Sequence, residues 1–384
     1  MSPLVQFLFA VAAALGHSVL WVGVVNRVHS QGVKRWIVDG ATLLSVILWA
    51  TIPLAYAWLV FRAGSLAAIA EPSSTLPRAY AWFAIAVLAV ATLTRIAFAL
   101  HPERRGVTRQ VESLPIEMPT GEPLLTPAAG FWAHLPGNQV VSPRLVTEEL
   151  FVPRLPEELD GFRIAHLSDL HMSGRVAKRY FETIVDATLA AEPELIAVTG
   201  DLVEFQPQHA WLDDTLLRLA APEGVWFVRG NHDEKHDHQT MIATLEAGGL
   251  VHVGGRAIDR AMRGRRVRVV GNEVPWYRRP GEPAVDDSAD EAFVLCLAHG
   301  PDQFRWAERH GVDLMLAGHN HGGQVRLPVI GALVTPSIHG TRYNSGAFRR
   351  GRTVMHVTNG AGSLEPVRYN CPPEVVMLVL RRPA

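Results

Sequence analysis

Leu314-Met315-Leu316-Ala317-Gly318-His319-Asn320-His321-Gly322-Gly323-Gln324 runs from an apolar strand into a glycine-flanked turn holding two histidines two residues apart. Glycine admits backbone shapes closed to other residues, so both imidazoles can be aimed at one centre. Imidazole is the commonest protein metal ligand near neutral pH. Alone, His-x-His also describes an ordinary polar turn. What decides the fold is that the same design recurs along the chain.

Upstream, Phe293-Val294-Leu295-Cys296-Leu297-Ala298 reads as a buried strand and ends in His299-Gly300. Val225-Trp226-Phe227-Val228-Arg229 ends in Gly230-Asn231-His232-Asp233, and Leu195-Ile196-Ala197-Val198-Thr199 ends in Gly200-Asp201. Phe162-Arg163-Ile164-Ala165-His166-Leu167 ends in Ser168-Asp169-Leu170-His171. Continuous apolar runs of this kind are strands buried on both faces. Stretches 175–191, 209–220 and 236–248 between them read as helices. Strand–helix repetition is α/β architecture, in which ligands gather beyond the carboxyl ends of the strands. Asp169 and His171, at i and i+2, point to the same side as the chain leaves its strand. The inventory at strand ends is Asp169, His171, Asp201, Asn231, His299, His319 and His321. These are nitrogen and oxygen donors only, suited to Mn, Fe or Zn. Seven donors exceed one tetrahedral site. They suit two ions sharing a carboxylate, ~3.5–4 Å apart, as used for in-line phosphoryl displacement.

In order and type, these blocks resemble the calcineurin-like metallophosphoesterases, whose series is Asp-x-His, Gly-Asp, Gly-Asn-His-Asp/Glu, His and Gly-His-x-His, matched here from about 162 to 324. The resemblance implies a four-layer α/β/β/α sandwich around two divalent metal ions, with manganese favoured over iron or zinc. It implies that Asp169, His171 and His321 hold one ion, that Asn231, His299 and His319 hold the other, and that Asp201 bridges them. It further implies that a hydroxide shared by the ions attacks phosphorus. His232 would then protonate the leaving oxygen or stabilise the transition state, with Asp233 orienting it. Gly322-Gly323-Gln324, Asn359-Gly360-Ala361-Gly362 and Pro373-Glu374-Val375 are similar to a bacterial, membrane-associated branch related to UDP-2,3-diacylglucosamine pyrophosphohydrolases. One position departs: the best-known soluble members of that pathway usually carry Arg where this chain has His232.

The chain has 384 residues, enough for a catalytic domain and an appendage. Its first hundred residues carry only Arg27, Lys34, Arg35, Asp39, Arg62, Glu71, Arg78 and Arg95 as charged side chains. Within them, 3–25, 41–61 and 79–100 are apolar runs of about 20 residues, the length that crosses a bilayer core. No positive n-region precedes the first run, so it is read as an uncleaved span. Lys and Arg are denser before the second span and after the third, which places the C-terminal bulk in the cytoplasm of a multi-pass protein of a bacterial inner membrane. Residues 101–145 are rich in proline and read as an extended linker. The catalytic domain then occupies 146–384, with Val146–Val152 as its first strand.

A net charge of −1 gives no general pull toward nucleic acid. Two cysteines, Cys296 and Cys371, exclude a disulfide framework and a thiolate metal site. The expected function is hydrolysis of a phosphoester or pyrophosphate bond, with a phosphorylated lipid or nucleotide-linked lipid as substrate. Two alternatives stand beside it. One is the same chemistry on soluble nucleotides or phosphoproteins, and the other is a non-catalytic membrane receptor or scaffold. His166 is read as a core histidine rather than a ligand, and His236 and His238 as solvated. Trp276-Tyr277-Arg278-Arg279 is either a loop or an interfacial anchor. His339 and Arg368 are further candidates to approach the site, Arg368 as a phosphate contact.

Overall fold

The computed structural model describes residues 2–69, 75–100, 103, 106–277, 292–328 and 330–383. The chain divides into two units, Met1–Pro102 with Ile338–Arg342, and Glu103–Ser337 with Tyr343–Ala384.

The first unit is built on α1 (Pro3–His29), α2 (Arg35–Ala63) and α3 (Thr75–Leu100), all long and apolar enough to cross a membrane. They contain the three expected spans. Ser2 caps α1 by accepting the Val5 N–H, and Gly64, at φ 64°, ends α2 in the left-handed conformation that favours glycine. A Cβ on Gly16 would fall 1.9 Å from the Ala84 carbonyl oxygen, so α1 and α3 cross with their backbones nearly touching. Small residues permit this approach where no hydrophobic force drives helices together. His17 lies buried at the same crossing, with Nδ1 2.7 Å from the Tyr80 hydroxyl and Nε2 3.1 Å from the Trp49 carbonyl. Large apolar side chains such as Trp36, Leu54, Phe61 and Leu76 face outward.

The second unit holds two main sheets. In chain order its strands are β1 (Thr108–Pro115), β2 (Arg144–Phe151), β3 (Arg163–Leu167), β4 (Leu195–Thr199), β5 (Val225–Val228), β6 (Val251–His252), β7 (Ala257–Met262), β8 (Arg265–Asn272), β9 (Phe293–Ala298), β10 (Leu314–Ala317), β11 (Arg326–Leu327), β12 (Gly331–Ala332), β13 (Gly346–Arg350), β14 (Thr353–Val357) and β15 (Glu374–Arg381). The first sheet runs β1-β2-β15-β3-β4-β5-β6 and the second β13-β14-β10-β9-β8-β7. In each, the central strands are parallel: β3 to β6 in the first, and β8, β9, β10 and β14 in the second.

Between the sheets lies one apolar core, to which Ile164, Leu195, Ala197 and Val228 contribute from one side and Val269, Leu295, Leu297 and Leu316 from the other. The outer face of the first sheet buries Ile196, Val198 and Phe227 against α4 (Lys178–Ala190) and α5 (His238–Ala247), through Phe181, Ile184, Met241 and Leu245. The short α6 (Phe304–Arg309) buries Phe304 and Ala307. The layers follow the order α/β/β/α.

Two local expectations differ from the structure. Residues 101–145 are not simply a tether, because β1 lies within them and pairs antiparallel with β2 at the edge of the first sheet. Its side chains are mostly exposed, so Thr108-Arg109-Gln110-Val111-Glu112-Ser113 lacks the apolar alternation of a half-buried strand. The helix expected over 209–220 is instead two short 3-10 turns, Gln206–Trp211 and Leu216–Arg218. Asp213, Asp214 and Thr215 stand between them, residue types that favour turns over helix interiors.

Candidate metal centre

The carboxyl ends of β3, β4 and β5 in one sheet meet those of β9 and β10 in the other, and all seven expected donors lie there. Loop backbones fix the meeting. The N–H of Asp169 donates to the Gly200 carbonyl and that of His171 to the Asp201 carbonyl, both at 2.9 Å. The N–H of His319 donates to both Asp169 carboxylate oxygens, at 3.1 and 3.0 Å, joining the two sheets through a would-be ligand. Asp169, His171, Asp201, His319 and His321 all hold positive φ, between 46° and 68°. Non-glycine residues seldom adopt this left-handed shape. Here it turns each side chain back over the end of its strand.

Glycines clear the space that these bends require. A Cβ on Gly230 would lie 2.1 Å from Asp201 Oδ1, and one on Gly318 would lie 1.9 Å from Ser168 Oγ and 2.3 Å from Asp169 Oδ2. Gly360 backs Asp169 in the same way, with a Cβ contact of 2.8 Å. The Asn359–Gly362 run therefore has a structural task beside the centre.

His171 Nε2 and His321 Nε2 are 3.1 Å apart, and Asp169 Oδ1 is 3.4 Å from His321 Nε2. His299 Nε2 lies 3.1 Å from both Asn231 Oδ1 and His319 Nδ1. Asp201 Oδ2 stands 3.4 Å from His171 Nε2 and 3.3 Å from His299 Nε2, between the two groups. Ligands held ~2.1 Å from a shared ion at roughly a right angle are separated by about 3 Å. The spacings suit common ions.

Hydrogen bonding on the far side of the rings makes the same case. His299 Nδ1–H donates to the Thr199 carbonyl at 2.7 Å. His171 Nδ1–H donates to Glu204 Oε2 at 3.2 Å. In the neutral rings both Nε2 atoms are then lone pairs, and they face carboxylates, so acceptors converge with nothing to donate between them. A cation resolves that conflict, and a histidine whose other nitrogen donates to a carboxylate or carbonyl is the usual metal ligand. The charge beside His299 measures the same conflict. Burial pushes the His299 pKa down, but the Asp201 charge outweighs burial and lifts it to about 9. Burial would raise Asp201, yet His299, His232 and His171 hold it well below the carboxylate range. The residues present fit two divalent ions.

Asp233 does not orient His232. Its fully buried carboxylate accepts the backbone N–H groups of Gly230 at 2.8 Å, Asp201 at 3.0 Å, Leu202 at 2.9 Å and Val203 at 3.3 Å. Following His232 directly in a tight turn, it points back and ties the β4 and β5 loops together. Two groups face His232 Nδ1: Glu204, whose Oε2 accepts from it at 2.6 Å, and the Lys235 ammonium. Lys235 donates to the other oxygen of the same carboxylate. Burial would raise the Glu204 pKa, but its bonds with His171 and His232 hold it well below the usual range. Glu204 is absent from the strand-end reading. Its signal in sequence is a carboxylate three residues after Asp201, with the buried Leu202 and Val203 between.

The other candidates separate clearly. His166 is a core residue, with Nε2 2.9 Å from Thr199 Oγ1 and Nδ1 3.1 Å from His356 Nδ1. His236 is not solvated: it precedes α5, and its side chain turns inward to donate from Nε2 to the Val203 carbonyl at 3.0 Å. Arg368 is fully buried and donates to the carbonyls of Asn359 and Gly362 at 2.8 and 2.6 Å, bracing the β10 turn rather than facing a phosphate. Trp276 rests on the rings of His299 and His319, with centroids 5.3 and 4.8 Å away, while Arg278 and Arg279 lie outside the described residues. His339 groups with the helical unit.

An α/β/β/α sandwich with histidine and carboxylate donors at its strand ends defines a metal-dependent hydrolase. The family described as calcineurin-like phosphoesterase matches residues 162–323. The chain is 33% identical over 226 residues to the phosphodiesterase YaeI of Escherichia coli (strain K12), covering 57% of this chain and 82% of that protein. It is 29% identical over 234 residues to the uncharacterized metallophosphoesterase YkuE of Bacillus subtilis (strain 168), covering 59% and 82%. A Danio rerio protein called transmembrane protein with metallophosphoesterase domain is 27% identical over 263 residues, covering 64% of this chain and 59% of that one. The chain belongs to the calcineurin-like metallophosphoesterase family, and it is a metal-dependent phosphoester hydrolase.

Proposed function

We propose that this chain is a membrane-anchored phosphodiesterase or pyrophosphohydrolase whose substrate is a phosphorylated or nucleotide-linked lipid. The supporting observation is the combination of an acceptor-only donor cluster with three helices long and apolar enough to span a bilayer. A centre tethered at a membrane meets lipid at high effective concentration.

In this reading Asp169, His171 and His321 would hold one ion, Asn231, His299 and His319 would hold the other, and Asp201 would serve both. Manganese fits the mixed oxygen and imidazole set. Bound ions supply positive charge to the phosphoryl oxygens and make the attacking water acidic. Glu204 holds the His232 ring through Nδ1, leaving Nε2 to exchange a proton with the leaving oxygen. Burial pushes the His232 pKa down, against the pull of Asp201 and Glu204. Asp201 first, and Glu204 through its bond to Nδ1, are the charges that favour its imidazolium. The Lys and Arg distribution around the helices supports a catalytic unit on the cytoplasmic face of a bacterial inner membrane.

The test is hydrolysis by the full chain, reconstituted with manganese, of UDP-diacylglucosamine, glycerophospholipids, soluble nucleotides and bis-p-nitrophenyl phosphate. Turnover of a lipid phosphoester is expected. Turnover confined to the soluble compounds defeats the lipid reading and favours spans that serve only for location.

A further inference from the structure

Immediately after the His319–His321 turn, β11 and β12 pair as a two-stranded ribbon separate from both main sheets. Val325, Leu327, Ile330, Leu333 and Val334 on and beside it are between 38 and 56% exposed. Exposed apolar side chains clustered on so short a ribbon mark a protein or membrane contact. Arg326 is the one charged residue from Val325 to Pro336, and it is turned inward. Its Nε donates to the Gly322 carbonyl at 2.8 Å and its Nη2 to Asn359 Oδ1 at 2.6 Å. The outward surface of the hairpin is therefore left without charge.

The hairpin is also fixed to the centre. A Cβ on Gly323 would fall 2.4 Å from the Ala332 Cβ, so the base of the ribbon presses on the turn that carries His321. The Arg326 N–H donates to the Tyr369 carbonyl at 2.9 Å, and Val325 bridges to Tyr369. What covers the patch is indicated by the chain itself. Only Thr335-Pro336-Ser337 separates Val334 from Ile338, and Ile338–Arg342 belongs to the unit of the three apolar helices.

We propose that the 325–334 hairpin dips its apolar side chains into the headgroup and upper acyl region of the bilayer, seating the metal turn at the lipid surface so that the substrate phosphate is taken from the membrane. This rests on the membrane-anchored reading above, and it assigns the hairpin a lipid-binding role. A bilayer accepts apolar side chains from a compact element without recognising a sequence. A surface hairpin rigidly joined to a ligand turn would couple docking depth to the position of the centre.

The test uses the full chain in vesicles of phosphatidylethanolamine and phosphatidylglycerol, with a fluorophore on Leu333→Cys and, as control, on the exposed Glu157→Cys. Cys296 and Cys371 are buried and stay unlabelled. Retained hydrolysis of bis-p-nitrophenyl phosphate shows each labelled chain to be folded. A blue-shifted Leu333 probe, losing most of its emission to lipid bearing a nitroxide near the headgroup while the control does not, is the expected result. Equal, unquenched emission at both positions overturns the proposal, as do Leu333→Cys disulfide dimers in place of quenching, which would assign the patch to a second copy. Quenching without turnover of any lipid phosphoester upholds the hairpin and removes only the lipid-substrate reading. With a lipid substrate, the Leu327→Asp/Leu333→Asp pair lowers its turnover on the order of tenfold, about 1.4 kcal/mol, with the soluble ester unaffected. Equal turnover of both substrates overturns the proposal.

Discussion

Glu204 Oε2 accepts from Nδ1 of His232 at 2.6 Å, and the same carboxylate reaches His171, so one buried charge serves a would-be ligand and a would-be acid. Glu204→Gln keeps the shape and removes the charge. We expect kcat to fall about 10–100-fold with KM little changed, the range seen when outer partners of site histidines are lost. Adding His232→Ala should produce far less than the product of the two single losses, since the pair acts as one device. Steady-state kinetics of the two singles and the double check this. Multiplicative losses would show that the carboxylate acts elsewhere.

Metal loading follows from the donor spacing. Elemental analysis of the purified chain should find two divalent ions per molecule. A chelator should abolish hydrolysis, and added manganese should restore it. Asp201→Asn removes the charge shared by both halves of the centre, and should lower ion content and cut activity on the order of 10³-fold or more. Full activity in Asp201→Asn, or after exhaustive chelation, would show that hydrolysis does not run through this centre.

Gly318 is a position where one methyl group decides the outcome. With Ser168 Oγ at 1.9 Å and Asp169 Oδ2 at 2.3 Å from the added carbon, Gly318→Ala must displace a ligand carboxylate. We expect loss of the ion bound by Asp169, and an apparent stability decrease of about 1–3 kcal/mol from overpacking. Gly264→Ala, in open space but at φ 77°, is the comparison that strains the backbone without touching the centre. Its metal content should match the parent.

Acid stability has a source away from the ions. Burial pushes His356 down to about 4 from an ordinary 6.5, against a smaller opposite pull from Glu374. Because the folded pKa is depressed, the contribution is complete above pH 6.5. Below that the unfolded chain takes up a proton the folded chain refuses, and stability falls until pH 4. The loss is roughly 3 kcal/mol at most by linkage. His356→Gln should lower Tm at pH 7.5 by losing the contact with His166, yet flatten the Tm profile between pH 6.5 and 4 relative to the parent. Parallel profiles would place the acid sensitivity elsewhere.

The donors were legible because each follows a short apolar run, and strand ends are where open α/β sheets place ligands. Glu204 escaped because its only local mark is its spacing from Asp201, which does not by itself assign a partner. Its meaning comes from His171, thirty-three residues upstream in sequence, and from His232, brought beside it by the pairing of β4 with β5. Asp233 misled for the opposite reason: adjacency to His232 suggests partnership, whereas four backbone N–H groups claim its carboxylate. β1 was hidden because an edge strand with mostly exposed side chains has no hydrophobic period. The apolar hairpin lacked a signal of its own, since exposure is a property of packing and not of composition.

Five of the seven donors sit on left-handed backbone, a shape that costs a non-glycine residue about 1–3 kcal/mol when the surroundings impose it. The grip on the ions is thus prepared by main-chain curvature before any side chain is chosen. Copying Asp169, His171, Asp201, His319 and His321 onto the straight strand ends of another sandwich would transplant the chemistry without its mould. An engineer wishing to move this activity must carry the bends, and the glycines that make room for them, as the inherited part.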